Sequence, residues 1–122
     1  MAKKILIAED EFDIRFMLEQ LLRLEGFEVL GVPDGRKAVE ALAQQDFDLL
    51  MLDITMPELD GFGVLEGLKE DGRLQDVPVI VITAKDLTAT EKQRLSGRVK
   101  GLLQKGTFLS TDLLDDVIKT IE

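Results

Sequence analysis

The stretch Leu49-Leu50-Met51-Leu52-Asp53-Ile54-Thr55-Met56-Pro57-Glu58-Leu59-Asp60-Gly61 decides the reading of this chain. Four apolar residues in a row, with no polar residue between them, predict a short strand covered on both faces. The run stops at a carboxylate, Asp53, and Pro57 and Gly61 then bracket a loop. A carboxylate at the end of such a run needs a partner, because burying an unpaired charge is expensive. A helix is expected to follow at about residues 62–70, with Val64, Leu65 and Leu68 inward.

The same strand–helix unit recurs on both sides of this stretch. Lys4–Ala8 reads as a buried strand, and residues 11–24 carry Ile14, Met17, Leu18, Leu21 and Leu22 on one helical stripe. Gly26 stands where a left-handed helix cap is expected. Glu28–Val32 reads as a second strand. Asp34 can cap a helix beginning near Gly35, with Ala38, Val39 and Leu42 inward. Residues 77–83 form an almost unbroken β-branched strand, and Thr88-Ala89-Thr90-Glu91 has the capping-box pattern. Gly101–Gln104 is the weakest strand, and residues 111–121 close the chain as an amphipathic helix. Five alternations of strand and helix, with strands apolar on both faces, predict a parallel sheet between helical layers in one domain, residues 1–122.

Composition narrows the chemistry. Of 122 residues, 45% are hydrophobic and 32% charged, which supports a packed core. With six Phe, no Trp and no Tyr, that core must be aliphatic. The net charge of −9 argues against direct nucleic-acid binding. There is no cysteine and no histidine, which excludes disulfides, thiolate metal sites and histidine general bases. A metal would have to be held by oxygen, which favours Mg²⁺, Ca²⁺ or Mn²⁺. No segment approaches the ~18 apolar residues of a membrane span. The start shows no signal-peptide core, so no membrane insertion and a cytoplasmic location are expected.

Sites on open parallel sheets form at the carboxyl ends of strands. Those ends carry Glu9-Asp10-Glu11, Asp53, Thr83 and Gln104-Lys105: carboxylates, a hydroxyl and an ammonium. Glu9, Asp10 and Asp53 come together if the first and third strands are neighbours, and a divalent cation would offset their repulsion. Each residue alone has an ordinary explanation. Asp10 could cap the following helix, Lys105 could be a solvated surface residue, and Thr83 could be chosen for strand propensity. Their joint placement on one edge is the stronger signal.

At this point the chain resembles the receiver domains of response regulators. The resemblance rests on Ile5-Leu6-Ile7-Ala8-Glu9-Asp10, on Leu52-Asp53 through Asp60-Gly61, on Val79-Ile80-Val81-Ile82-Thr83-Ala84 and on Leu103-Gln104-Lys105, in that order. It implies a flavodoxin-like (βα)5 doubly wound sheet of strand order 2-1-3-4-5, with helices on both faces; a chemotaxis receiver is itself a standard illustration of that order. It implies that Asp53 accepts a phosphoryl group. Glu9, Asp10, Asp53 and the main-chain carbonyl of Thr55 would hold Mg²⁺, with Mn²⁺ possible. Thr83 and Lys105 would contact the transferred group. The implied partners are a histidine kinase or phosphotransfer protein upstream. A downstream protein would bind a face of roughly residues 90–121, formed by the fourth helix, fifth strand and last helix. The chain would be a signalling domain rather than a turnover enzyme.

Two positions depart from the family pattern. Gly106 follows Lys105 where proline in a cis peptide is usual; a cis bond before a non-proline residue costs roughly 2.5–4 kcal/mol, so a trans bond is expected. Leu102 stands three positions before the lysine, where an aromatic switch residue is frequent. Thr55 and Lys85 occupy the positions that help to set phosphoryl lifetime. Residues 95–106 are similar to receivers attached to hybrid sensor kinases, so the chain could be stand-alone or a module of one. The competing readings are a degenerate receiver acting only as an interaction module, a flavin-binding flavodoxin and an aspartate-nucleophile phosphatase. The complete residue set disfavours the first. Glu9-Asp10-Glu11 would repel the flavin phosphate. The phosphatase would want a second Asp where Thr55 stands. No output domain fits in this length, so output must run through contact, dimerisation or a part outside this chain.

Overall fold

The computed structural model describes residues 2–56, 58–72, 74, 76–83, 87–97, 99–104, 117 and 119–121. The elements are β1 (Lys4–Ala8), α1 (Phe12–Leu24), β2 (Glu28–Val32), α2 (Gly35–Gln44), β3 (Leu49–Asp53), α3 (Gly61–Glu70), β4 (Val79–Thr83), α4 (Ala89–Leu95) and β5 (Gly101–Gln104). Val117 and residues 119–121 are also helical. The strands form one parallel sheet in the order β2-β1-β3-β4-β5. The implied flavodoxin-like order is therefore the one observed.

The unbroken apolar runs find their cause in two separate cores. Successive strand residues point to opposite faces. Leu6, Ala8, Leu50, Leu52, Val79 and Val81 meet Ala38, Ala41 and Leu42 of α2, Phe62, Val64, Leu65 and Leu68 of α3, and Leu95 of α4. Ile5, Ile7, Leu49, Met51, Ile80 and Ile82 meet Leu18 and Leu22 of α1 together with Val117. Both faces are thus dry at β1, β3 and β4, where each buried aliphatic side chain contributes about 1.5–3 kcal/mol. β2 lies at the sheet edge, and its outward Glu28 and Leu30 remain exposed.

The local signals act where the sequence places them. Asp34 caps α2 by accepting from Lys37 N at 2.8 Å, and Asp60 caps α3 by accepting from Gly63 N at 2.9 Å. Thr88 and Glu91 close a reciprocal capping box on α4. Gly26 takes φ 95° just past α1, the left-handed cap expected of it. α4 buries only Leu95 and lays Arg94 over the Phe62 ring at 3.9 Å.

Four expectations need correction. β4 begins at Val79, not Val77, because Val77 N closes a turn onto Leu74 O and Pro78 has no N–H to give a ladder. Val39 is 41% exposed, because the inward face of α2 is set by Ala38, Ala41 and Leu42, from which Val39 is rotated by about one residue's turn. α1 begins at Phe12, with Glu11 as its N-cap residue, so Asp10 is not the cap. α3 begins at Gly61, one residue earlier than read. Most of the expected closing helix, residues 111–116 and 118, lies outside the described residues, as do Lys85, Lys105 and Gly106.

Candidate functional site

The register brings the acidic residues together. Ala8 pairs with Leu52 across β1 and β3, so the next residues, Glu9 and Asp53, stand side by side at the carboxyl edge of the sheet. Glu9 N continues the ladder by donating to Val32 O at 3.0 Å. Glu9 is 0% and Asp53 1% exposed, whereas Asp10 stays accessible to solvent. One carboxylate oxygen from each of Glu9, Asp10 and Asp53 lies within 4.8 Å of the other two.

That proximity has an energetic meaning. Two full negative charges at this separation repel by about 3 kcal/mol at an effective dielectric near 20, for the buried pair Glu9 and Asp53 alone. A whole domain is stable by only ~5–15 kcal/mol. Compensating positive charge is therefore worth much here. The donor set is three hard carboxylate oxygens with one member open to solvent, which fits a hard divalent cation such as Mg²⁺, Ca²⁺ or Mn²⁺ and gives no purchase to a soft metal.

The neighbouring backbone fixes Asp53. Thr55 N donates to Asp53 Oδ1 at 3.1 Å. Ile54 N donates to Ile82 O at 3.3 Å, and Gly61 N to Ile54 O at 3.0 Å. A Cβ on Gly61 would stand 2.6 Å from Asp53 O and 2.8 Å from Ile54 Cα, so only glycine lets α3 start this close to the acidic strand end. Glu58 turns the intervening loop with φ 68°.

Thr83 is 1% exposed and directly follows Ile82, the register partner of Asp53, which puts its hydroxyl-bearing residue beside the cluster. Thr55 contributes its amide, with its side chain exposed. The structure thus gathers Glu9, Asp10, Asp53, Thr55 and Thr83 at one edge; Lys105, which follows β5, lies outside the described residues. Sequence reasoning passed over Arg15, whose Nη1 donates to Glu9 O at 2.8 Å. A basic residue one turn into the helix after an acidic pair was the available signal.

Fold and site together define a flavodoxin-like α/β domain with an acidic, cation-suited cluster at the carboxyl edge of its sheet. The chain belongs to the response regulator receiver domain family, whose model matches residues 5–118. It is thus a receiver domain of two-component signalling. A probable transcriptional regulator, ycf27, of Galdieria sulphuraria is 43% identical over 82 residues, which is 67% of this chain and 31% of that protein. Response regulator PleD of Caulobacter vibrioides is 34% identical over 119 residues, 97% of this chain and 24% of that protein. The chain therefore spans about a third or less of these relatives.

Solved structures agree with the fold. Chemotaxis protein CheY4 of Vibrio cholerae superposes with a TM-score of 0.87 over 100% of both chains at 24% identity. The receiver domain of sensor histidine kinase PA1611 from Pseudomonas aeruginosa gives a TM-score of 0.86 at 26% identity, covering 99% of this chain and 98% of that one; it was crystallised with magnesium coordinated in its active-site cleft.

Proposed function

We propose that this chain, acting as a single receiver unit over residues 1–122, takes a phosphoryl group onto Asp53 from a phosphohistidine of a kinase or phosphotransfer protein. The observation that carries this reading is the buried Asp53 carboxylate within 4.8 Å of Glu9 and Asp10 at the sheet edge. The carboxylates of Glu9, Asp10 and Asp53 and the Thr55 main-chain carbonyl would hold Mg²⁺ (or Mn²⁺). Bound there, the ion supplies positive charge against the phosphoryl oxygens, the larger part of what such transfers need.

The chain's own residues do the rest. Thr55 N donates to Asp53 Oδ1 and so orients the carboxylate, one oxygen of which attacks phosphorus. The new oxygen–phosphorus bond forms as the donor's nitrogen–phosphorus bond breaks. The imidazole nitrogen leaves with the bonding pair and takes a proton from solvent. The Thr83 hydroxyl donates to one phosphoryl oxygen and the Lys105 ammonium to another.

The signal then passes to the face built from α4, β5 and the closing helix. α4 rests on one buried leucine and on Arg94 over the Phe62 ring, and Leu102 on β5 is 43% exposed. A downstream protein docking on this face would read the modification, in the cytoplasm and without direct nucleic-acid contact by this acidic chain. No helix among the described residues is long and apolar enough to cross a membrane.

Intact mass after incubation with acetyl phosphate, with and without Mg²⁺, tests the proposal. The expected result is a Mg²⁺-dependent gain of one phosphoryl group that Asp53→Asn abolishes. A gain that survives Asp53→Asn at the same peptide would overturn the assignment of the acceptor. No gain, with Mg²⁺ bound, would point to a domain that needs its cognate kinase or that acts by contact alone.

A further inference from the structure

Arg15 reaches back across the first turn of α1 to the site, and nothing in the phosphoryl chemistry above uses it. Its Nη1 donates to the carbonyl oxygen of Glu9 at 2.8 Å in a part-buried setting. That oxygen belongs to the Glu9–Asp10 peptide, and a peptide unit is a rigid plane. Pinning its oxygen therefore fixes the direction in which the chain delivers Asp10. Asp10 is the one member of the acidic cluster that is exposed and does not cap α1. Its place within 4.8 Å of Glu9 and Asp53 thus depends on the backbone.

Two further bonds of this turn act on Glu9. Its N–H donates to Val32 O at 3.0 Å, and its Oε2 accepts from Glu11 N at 2.9 Å. Arg15 itself is held in place. Its guanidinium lies 5.5 Å from the Phe12 ring centroid. Its stem passes over Gly31 of the edge strand, where a Cβ would come within 3.0 Å of Arg15 Cγ and would collide with the Glu19 carboxylate. Glu19 in turn pairs with Arg23 at 3.8 Å, and Arg23 Nη2 donates to Val29 O at 3.1 Å. The charged row Arg15, Glu19, Arg23 thus lies along β2 and ends on the acidic turn.

We infer that Arg15 is a positioning residue for the cation site: by holding the Glu9 carbonyl it sets the orientation of the Glu9–Asp10 peptide and so the affinity of the acidic cluster for Mg²⁺. The inference rests on the reading of Glu9, Asp10 and Asp53 as the cation ligands. Two effects of opposite sign meet at Arg15. Its charge repels a cation, whereas its hydrogen bond organises the ligands. Salt separates them, because at ~1 M ionic strength the Debye length shrinks to about 3 Å and the charge effect fades, while the geometric one persists.

The test uses Arg15→Met, which keeps the stem and removes the donors, and Arg15→Gln as a polar variant that is too short to reach, should the first not fold. The first readout needs no metal. Hydrogen exchange of the Glu11 amide should quicken by about three- to tenfold, the worth of one hydrogen bond, while amides of β3 and β4 keep wild-type protection. The second is Mg²⁺ affinity by calorimetry at low and at ~1 M salt, where the variants should bind about three- to tenfold more weakly at high salt. Unchanged Glu11 exchange would overturn the inference. So would variant binding that is tighter at low salt and equal to wild type at high salt, because Arg15 would then act through charge alone. Failure of the wild-type chain to bind Mg²⁺ would instead overturn the underlying site, leaving the metal-free exchange result to judge the backbone tether.

Discussion

Among the described residues, acidic side chains stand at three strand-to-helix turns of this sheet edge, and they behave in two ways. At the β2–α2 and β3–α3 turns, Asp34 and Asp60 each accept from a backbone N–H three residues on, at 2.8 and 2.9 Å. At the β1–α1 turn there are three acidic residues in a row, yet the N-cap residue Glu11 makes no side-chain cap bond. Glu9 is buried and Asp10 converges with it on Asp53. A cap stabilises by about 1 kcal/mol and asks only for an oxygen. The cluster sets two buried carboxylates against each other, a repulsion of about 3 kcal/mol if both are charged, and concentrates charge. The difference separates carboxylates that serve the fold from carboxylates that burden it, and the second kind marks the site.

The largest expected effect breaks or upholds that division at once. Asp53→Asn should abolish phosphoryl gain entirely. In metal-free buffer it should also raise stability, by at most roughly 2 kcal/mol, since the repulsion removed is offset by a weakened hydrogen bond to Thr55 N and by the other interactions that Asp53 makes. Asp60→Ala, seven residues on, should lower stability by about 1 kcal/mol through its lost cap. Urea unfolding followed by far-UV circular dichroism measures both, since the chain has no Trp or Tyr to report by fluorescence. A destabilised Asp53→Asn would mean that Asp53 serves the fold as the caps do.

Metal linkage comes next in size. At a Mg²⁺ concentration of 100 times its Kd, the wild-type chain should gain about 2.7 kcal/mol in urea unfolding. Asp10→Asn should lose most of that gain, because it removes the accessible charged ligand. Asp34→Ala should keep all of it while starting about 1 kcal/mol lower. An equal Mg²⁺ gain in Asp10→Asn and wild type would move Asp10 out of the cluster's function.

What the sequence discloses follows the range of the interaction. Asp34 and Thr88 are legible as caps because a cap acts over three residues. Asp53 is legible because four apolar neighbours make its charge anomalous. The alternation of β and α predicts the sheet, but the order 2-1-3-4-5 came from resemblance, since pattern alone does not rank the strands. Val39 misled because three apolar positions in a short helix do not settle its phase; Ala41, small and easily overlooked, is the residue that does. Arg15 offers only a weak signal, a basic residue one turn into the helix after an acidic pair, and its bond to the Glu9 carbonyl depends on how α1 packs across Gly31 of β2. The Thr55 amide on Asp53 likewise depends on a loop conformation rather than on a residue type.

The smallest effect is the sharpest comparison, because the same chemical change is made in both classes of carboxylate. Asn caps a helix about as well as Asp, since its side-chain oxygen accepts the same N–H. Asp34→Asn therefore keeps the bond to Lys37 N and loses only the attraction of a negative charge for the positive end of α2, about 0.3 kcal/mol at a partly exposed site. That difference should vanish in high salt, because the charge–dipole attraction is screened. At Asp10 the identical substitution removes a charge that no amide oxygen replaces, and Mg²⁺ affinity should fall. If Asp34→Asn cost as much as Asp34→Ala, the α2 cap would depend on charge too. The distinction between an oxygen and a charge would then no longer separate the turns from the site.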